Sequence, residues 1–149
     1  MSKKKKEVKI KNEDVLLGLD YGESNIGVAF GRSGVVCPIK VIEGRNQLSA
    51  IHEIIRLAME NKAVKIILGL PLTSEGRETK QSLSVRQFAK LLRVLSKKPV
   101  EFHDEHSSTQ TALEEAIDLG IPQKGRRMTD HLSAAVILKR YYSEHPASS

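Results

Sequence analysis

The chain has 149 residues, a net charge of +6, 40% hydrophobic residues and 28% charged ones, which fits one soluble domain able to bury roughly two-thirds of its unfolded surface. Its longest apolar stretches, such as IILGLPL, are far too short to span a bilayer, and MSKKKKEVKI has no apolar core behind its lysines, so it is not a secretion signal. Cys37 is the only cysteine, which excludes an intrachain disulfide and a thiolate zinc cage and points to a reducing cytoplasm.

Lys3 to Lys6 supply four of the positive charges. Residues 1–14 therefore read as a basic, mobile extension able to add salt-sensitive attraction to nucleic acid. A domain over 15–142 and a short tail over 143–149 follow. Val15 to Leu19 reads as a buried strand ending at Asp20, Tyr21 to Asn25 as a turn, and Ile26 to Phe30 as the returning strand of a hairpin. Val35 to Ile42 is a third strand, and Pro38 within it favours an edge position or a bulge. Leu48, Ile51, Ile54, Ile55 and Ala58 recur at helical spacing. The unbroken run Lys65 to Leu70 has the pattern of a strand covered on both faces. A polar loop, Thr73 to Lys80, precedes a helix marked by Val85, Phe88, Leu92 and Leu95, with Pro99 beyond its end. Val100 to His103 is the fifth strand, and a helix over Thr109 to Leu119 is broken by Gly120-Ile121-Pro122. Thr129 can cap a last helix with Asp130 in its first turn and Leu132, Ala135 and Val136 on its core face. The order β-β-β-α-β-α-β-α-α predicts an α/β domain. Its five-stranded mixed sheet has three antiparallel strands, then alternating helices and strands, with helices on both faces.

Three acidic positions stand at the ends of these runs: Asp20, the pair Asp104-Glu105, and Asp130. If the runs are neighbouring elements, the acids meet at one edge of the sheet. Clustered carboxylates repel one another unless a cation fills the site, and hard divalent ions such as Mg²⁺ and Mn²⁺ take oxygen ligands that phosphate can complete. The chain then reads as a metal-dependent enzyme acting on phosphodiesters. Each acid also has a plainer reading. An Asp before Gly is a common turn residue, an acid pair at a strand end can simply be solvated, and an acid in a helix's first turn is favoured by the macrodipole.

The longer string LGLDYG…IGVAF resembles the opening of the YqgF/RuvX family, whose members are assigned either as Holliday-junction resolvases or as nucleases maturing precursor small-subunit ribosomal RNA. Three more motifs extend the resemblance from about Val15 to Tyr142. Gly69-Leu70-Pro71-Leu72 with Gly76, Val85-Arg86 and Phe88-Ala89 is similar to the family's GLP motif and the helix after it. Asp104-Glu105 with Ser108-Thr109 and Ala112 is similar to its DER-x-T-T segment, and Asp130 with Ala134-Ala135 and Ile137-Leu138 to its terminal D-x-x-A-A helix.

The resemblance implies a ribonuclease H-like fold and a metal site made by Asp20, Asp130 and one of the Asp104-Glu105 pair. Neighbouring strand residues point to opposite faces, so both acids of the pair converge only if the strand has ended. Glu105 is the preferred ligand, with Asp104 kept beside it. Mg²⁺ or Mn²⁺ would be the cofactor. The implied activity is phosphodiester hydrolysis at the 5′ end of precursor 16S rRNA. Cleavage of branched DNA is the alternative, and it would call for a homodimer rather than a monomer because a four-way junction needs two cuts. A nucleic-acid-binding assembly module that no longer cuts and a nucleotide phosphatase or ATPase are further alternatives, though the latter normally needs two such domains.

The sequence departs from the family pattern in two places. His106 stands where relatives have Arg, and Ser24-Asn25 where they often carry Lys or Arg. Both remove fixed positive charge near the expected scissile phosphate. His103, His106 and His131 flank the acids, which admits a preference for Mn²⁺ or Zn²⁺. Two basic groups could hold nucleic acid: Arg86, Lys90, Arg93 and Lys97 along one helix face, and Lys124, Arg126 and Arg127 in the loop before Asp130. With no Trp, three Tyr and three Phe, base stacking is a minor part of recognition and backbone and shape readout fits better.

Overall fold

The computed structural model describes residues 13–22, 24–104 and 129–145, the last segment from its backbone alone at 129–131. Numbered over these residues, the elements are β1 (Val15–Tyr21), β2 (Asn25–Arg32), β3 (Val35–Glu43), α1 (Gln47–Glu60), β4 (Ala63–Leu70), α2 (Lys80–Ser96), β5 (Val100–Asp104) and α3 (Thr129–Glu144). The expected helix at 109–119 lies outside the described residues.

The strands form one sheet in the order β3-β2-β1-β4-β5. β1, β2 and β3 pair antiparallel, while β1, β4 and β5 run parallel. β1 and β4 are apolar on successive residues because both of their faces are covered. On one face Leu17, Leu19, Ile66 and Leu68 pack with Ile51 and Ile54 of α1 and Val85, Phe88 and Leu92 of α2. On the other, Leu16 and Ile67 pack with Ala134, Leu138 and Tyr141 of α3. Pro38 meets both expectations made for it. β3 is an edge strand of this sheet, and its register slips where Val28 pairs with Lys40 but Ala29 pairs with Pro38, leaving Ile39 as the extra residue of a bulge.

Two apolar residues expected on helix core faces are exposed, Leu48 at 54% and Leu95 at 39%. Helical rotation of 100° per residue accounts for both. The buried stripe of α1 is Ala50, Ile51, Ile54, Leu57 and Ala58, and Leu48 lies about 120° from its centre. In α2 the buried stripe holds Val85, Phe88, Ala89 and Leu92. Leu95 falls on the rim of that stripe, one residue from the end of the helix. α2 starts at a capping box: Thr79 Oγ1 accepts from the Ser82 amide at 2.9 Å and Ser82 Oγ accepts from the Thr79 amide at 2.7 Å. The Thr79 hydroxyl also donates to the Pro71 carbonyl at 2.9 Å, tying the loop after β4 to the helix that follows it.

The seating of α3 fixes the direction of everything on its face. A Cβ on Gly18 would lie 2.5 Å from Leu138 Cγ and 3.0 Å from the Ala134 carbonyl oxygen, and one on Gly31 would lie 2.6 Å from the Tyr142 ring. Gly31 pairs with Leu16 and so lies nearer the start of β1 than Gly18 does. α3 therefore runs antiparallel to β1, Tyr142 over its beginning and Ala134 over its middle. Replacing Gly18 by Ala should cost about 1–3 kcal/mol of stability by forcing helix and strand apart, measured by urea unfolding. The same substitution made in a Leu138→Ala background should cost less, because the nearest clashing atoms are gone.

Candidate functional site

β1, β4 and β5 run parallel, so their carboxyl ends share one edge of the sheet. Crevices outside such ends are where ligands bind in open α/β sheets. Asp20 is the penultimate residue of β1 and is half-buried. It lies two residues beyond Gly18 and so on the same face, the one covered by α3. From Ala134, one helical turn back along α3 reaches Asp130 and covers about 6 Å. From Gly18, two strand residues reach Asp20 and cover about 7 Å. Helix and strand are antiparallel here, so the first turn of α3 and Asp20 arrive at the same end and the same face. The backbone of Asp130 is helical, as expected, with the helix starting at Thr129 itself.

Asp104 closes β5 at that same edge, two strands away across β4. Its alternation is different. Leu68 pairs with Phe102, Gly69 with His103 and Leu70 with Asp104. Phe102, Leu68 and Leu70 face α1 and α2, so Asp104, which is exposed, lies on that side while Asp20 is on the other. Of the adjacent pair, Asp104 is therefore the member that strict alternation turns away from Asp20. Glu105, His106, Lys124, Arg126 and Arg127 lie outside the described residues, as do the side chains of Asp130 and His131. Among the described residues no group of three His, Cys, Asp or Glu side chains comes close enough to hold a metal.

His103 directly precedes Asp104 and is built into the packing. It is 6% exposed on the α3 face, with Nε2 3.7 Å from Glu144 in the last turn of α3. Burial lowers its pKa, and the nearby Glu144 charge only partly offsets that. Next to it, Lys65 is buried and pairs with Glu101, its ammonium also donating to the Tyr141 hydroxyl at 3.1 Å. Burial alone would lower the lysine's pKa, but the hydrogen bonds to Glu101 and Tyr141 leave it raised, so it stays charged. This cluster ties the end of α3 to β4 and β5. Its sequence signal was a lysine inside an otherwise apolar strand.

The basic face of α2 divides by role. Arg86 is held by Glu78 through two hydrogen bonds of 2.8 Å, which draw the Glu78 pKa down, and its guanidinium lies 5.1 Å from the centre of the Phe102 ring. Arg93 donates to the Val100 carbonyl at 2.9 Å and lies 5.2 Å from the same ring. Both arginines thus brace β5 against α2. Lys90 is exposed, and Lys97 forms the left-handed cap of the helix. Glu78 stands two residues before the helix, which is why a scan of the helix alone shows no partner for Arg86.

Beside the β1–β2 turn, Tyr21, Ser24, Lys80, Gln81 and Ser84 line an open polar hollow. Lys80 and Ser24 are 56 residues apart in sequence, and no periodicity links them.

A family profile described as RuvX, Holliday junction resolvase, matches residues 14–144. The chain belongs to the RuvX family. Curated relatives agree. A protein of Chloroflexus aggregans, provisionally named a pre-16S rRNA nuclease, is 33% identical over 133 residues, covering 87% of this chain and 94% of its own. One from Pseudomonas aeruginosa strain LESB58, named likewise, is 33% identical over 135 residues, covering 89% and 94%. Among solved structures, Thermus thermophilus RuvC in complex with a Holliday junction substrate superposes with a TM-score of 0.55 at 13% identity, covering 90% of this chain and 97% of that one. The fowlpox virus Holliday junction resolvase gives 0.52 at 15%, covering 87% and 97%. These two likenesses establish a shared ribonuclease H-like fold for the RuvX chain.

The division of the α2 cations has a measurable consequence. Arg86→Gln should lower the urea midpoint of unfolding, whereas Lys90→Gln should leave it unchanged.

Proposed function

We propose that this RuvX-family protein is a metal-dependent endonuclease that hydrolyses phosphodiester bonds at the 5′ end of precursor 16S rRNA. The observation that carries the proposal is the arrival of Asp20 and the first turn of α3, with Asp130, at one end and one face of the sheet. The donor set fits a hard divalent cation such as Mg²⁺ or Mn²⁺: carboxylates alone, from three elements, at an edge open to a phosphate. Asp20 and Asp130 would hold it. The alternation of β5 turns Asp104 to the face away from Asp20, which supports Glu105 as third ligand over Asp104. When bound, such an ion supplies Lewis-acid stabilisation of the phosphoryl oxygens and a more acidic water. The chain's own part is to fix these carboxylates on rigid elements, with β1 and α3 locked together at Gly18. No nucleophilic side chain is required, so no covalent intermediate forms.

The relatives' names support the RNA substrate. A second reading, resolution of branched DNA, is favoured by the family's description as Holliday junction resolvases, and it requires two sites and hence a homodimer. In either case the working unit is the domain of residues 15–142, with Lys124, Arg126 and Arg127 gripping phosphates beside the cut.

The test is cleavage of a precursor 16S rRNA fragment and of a four-way DNA junction with Mg²⁺ or Mn²⁺. Asp20→Asn should abolish cutting while leaving the protein folded, since the change is isosteric and Asp20 belongs to neither apolar cluster. Cutting that survives in Asp20→Asn, or that proceeds with the metal chelated, would overturn the proposal.

A further inference from the structure

The hollow beside the β1–β2 turn lies at the same sheet edge as Asp20 but across the sheet from it. Tyr21 follows Asp20 directly, and alternation turns it to the α1 and α2 side, where its ring packs against that of Phe88, tilted by 33° with centroids 4.4 Å apart. Its hydroxyl accepts a hydrogen bond from Gln47 Nε2 at 3.3 Å. Tyr21 is therefore a fixed wall. The opposite wall is the start of α2, with Lys80, Gln81 and Ser84, and Ser24 closes the end at the turn.

The charge of the hollow is what suggests a ligand. Lys80 is exposed; its carbonyl accepts from the Ser84 hydroxyl at 3.3 Å, while its ammonium has no hydrogen-bond or ion-pair partner among the described residues. The acid nearest in sequence, Glu78, is committed to Arg86 and to the Ser82 hydroxyl, and the first turn of α2 holds no other acid. The Ser24 hydroxyl and Gln81 amide add neutral donors on the same rim. A cation with two neutral donors, and no carboxylate among the described lining residues, is suited to a phosphate oxygen and unsuited to a metal ion.

We propose that this hollow is a second phosphate subsite, in which Lys80, assisted by Ser24 and Gln81, holds the substrate backbone one or two nucleotides from the bond that is cut. A nucleic-acid strand with its reacting phosphate at Asp20 has to cross the carboxyl edge of the sheet, and Tyr21 leads directly from that residue to the hollow. Lys80 thereby restores, from α2, a positive charge that the β1–β2 turn does not provide at Ser24-Asn25. The inference rests on the nuclease reading. It adds a binding residue that contacts the substrate away from the reacting atoms.

The experiment is fluorescence anisotropy on a labelled single-stranded RNA spanning the 5′ cut, without added metal so that no cleavage occurs. Wild type is compared with Lys80→Gln and with Lys62→Gln, an exposed lysine between α1 and β4 at the opposite end of the sheet. Lys80→Gln should weaken binding roughly fivefold and lower the salt-dependence slope by about one, as for one lost phosphate contact. Lys62→Gln should bind as wild type does. Neutral methylphosphonates substituted one position at a time should cost wild type affinity one or two nucleotides from the cut, and should cost Lys80→Gln nothing there. Equal binding by wild type and Lys80→Gln, or an equal loss in Lys62→Gln, would overturn the subsite and leave the nuclease reading standing. Failure of wild type to bind RNA or junction DNA at all would overturn both.

Discussion

The contact between α3 and β1 sets the geometry on which the rest of the site depends. Two glycines, Gly18 on β1 and Gly31 on β2, let the helix lie closer to the sheet than any side chain there would allow. The apolar cluster of Leu16, Ile67, Ala134, Leu138 and Tyr141 holds it in place, and the Lys65–Glu101–Tyr141 cluster pins its far end. Because the helix is antiparallel to β1, its first turn comes to the carboxyl end of the strand. Tight packing further down the same helix makes that arrangement of first turn and strand end rigid. The favourable burial lies along the middle and far end of α3, and its first turn stands at the carboxyl edge of the sheet.

The face opposite α3 is organised around β5. Phe102 is flanked by two guanidiniums, one fixed by Glu78 and the other by the Val100 carbonyl. Such an arrangement anchors a five-residue strand that has only one sheet neighbour among the described elements. Arg86 and Arg93 have therefore been drawn from a basic helix face into structural work. What remains for a polyanion on this side, among the described residues, is the exposed Lys90 and Lys97 and, nearer the edge where Asp20 stands, the hollow at Lys80.

Much of the fold was legible because its signals are local. Unbroken apolar runs marked β1 and β4, Pro38 announced both an edge and a bulge, and the order of elements gave the mixed sheet. Leu48 was misplaced because spacings of three and four can be threaded through α1 in two ways, and only packing selects the stripe centred on Ile54. Of the site, Asp20 was readable from its motif, and its face follows from alternation with Gly18. That Asp104 lies on the face away from Asp20 follows only from the register of β5 against β4, which sequence spacing does not contain. Lys80 escaped notice because its meaning comes from Ser24 and Tyr21 across a tertiary gap, and because Glu78, an apparent partner in sequence, is engaged elsewhere.

The most direct test of the account is where a divalent ion settles on the folded chain. Substoichiometric Mn²⁺ added to the ¹⁵N-labelled protein broadens amide signals near its binding site. The account predicts that Asp20, Tyr21, Asp104 and the first turn of α3 broaden together at the lowest Mn²⁺, and that Asp20→Asn removes this joint response. Broadening centred on other acids, such as those of α1, or a first turn of α3 that stays sharp while Asp20 broadens, would contradict the convergence on which the whole account stands.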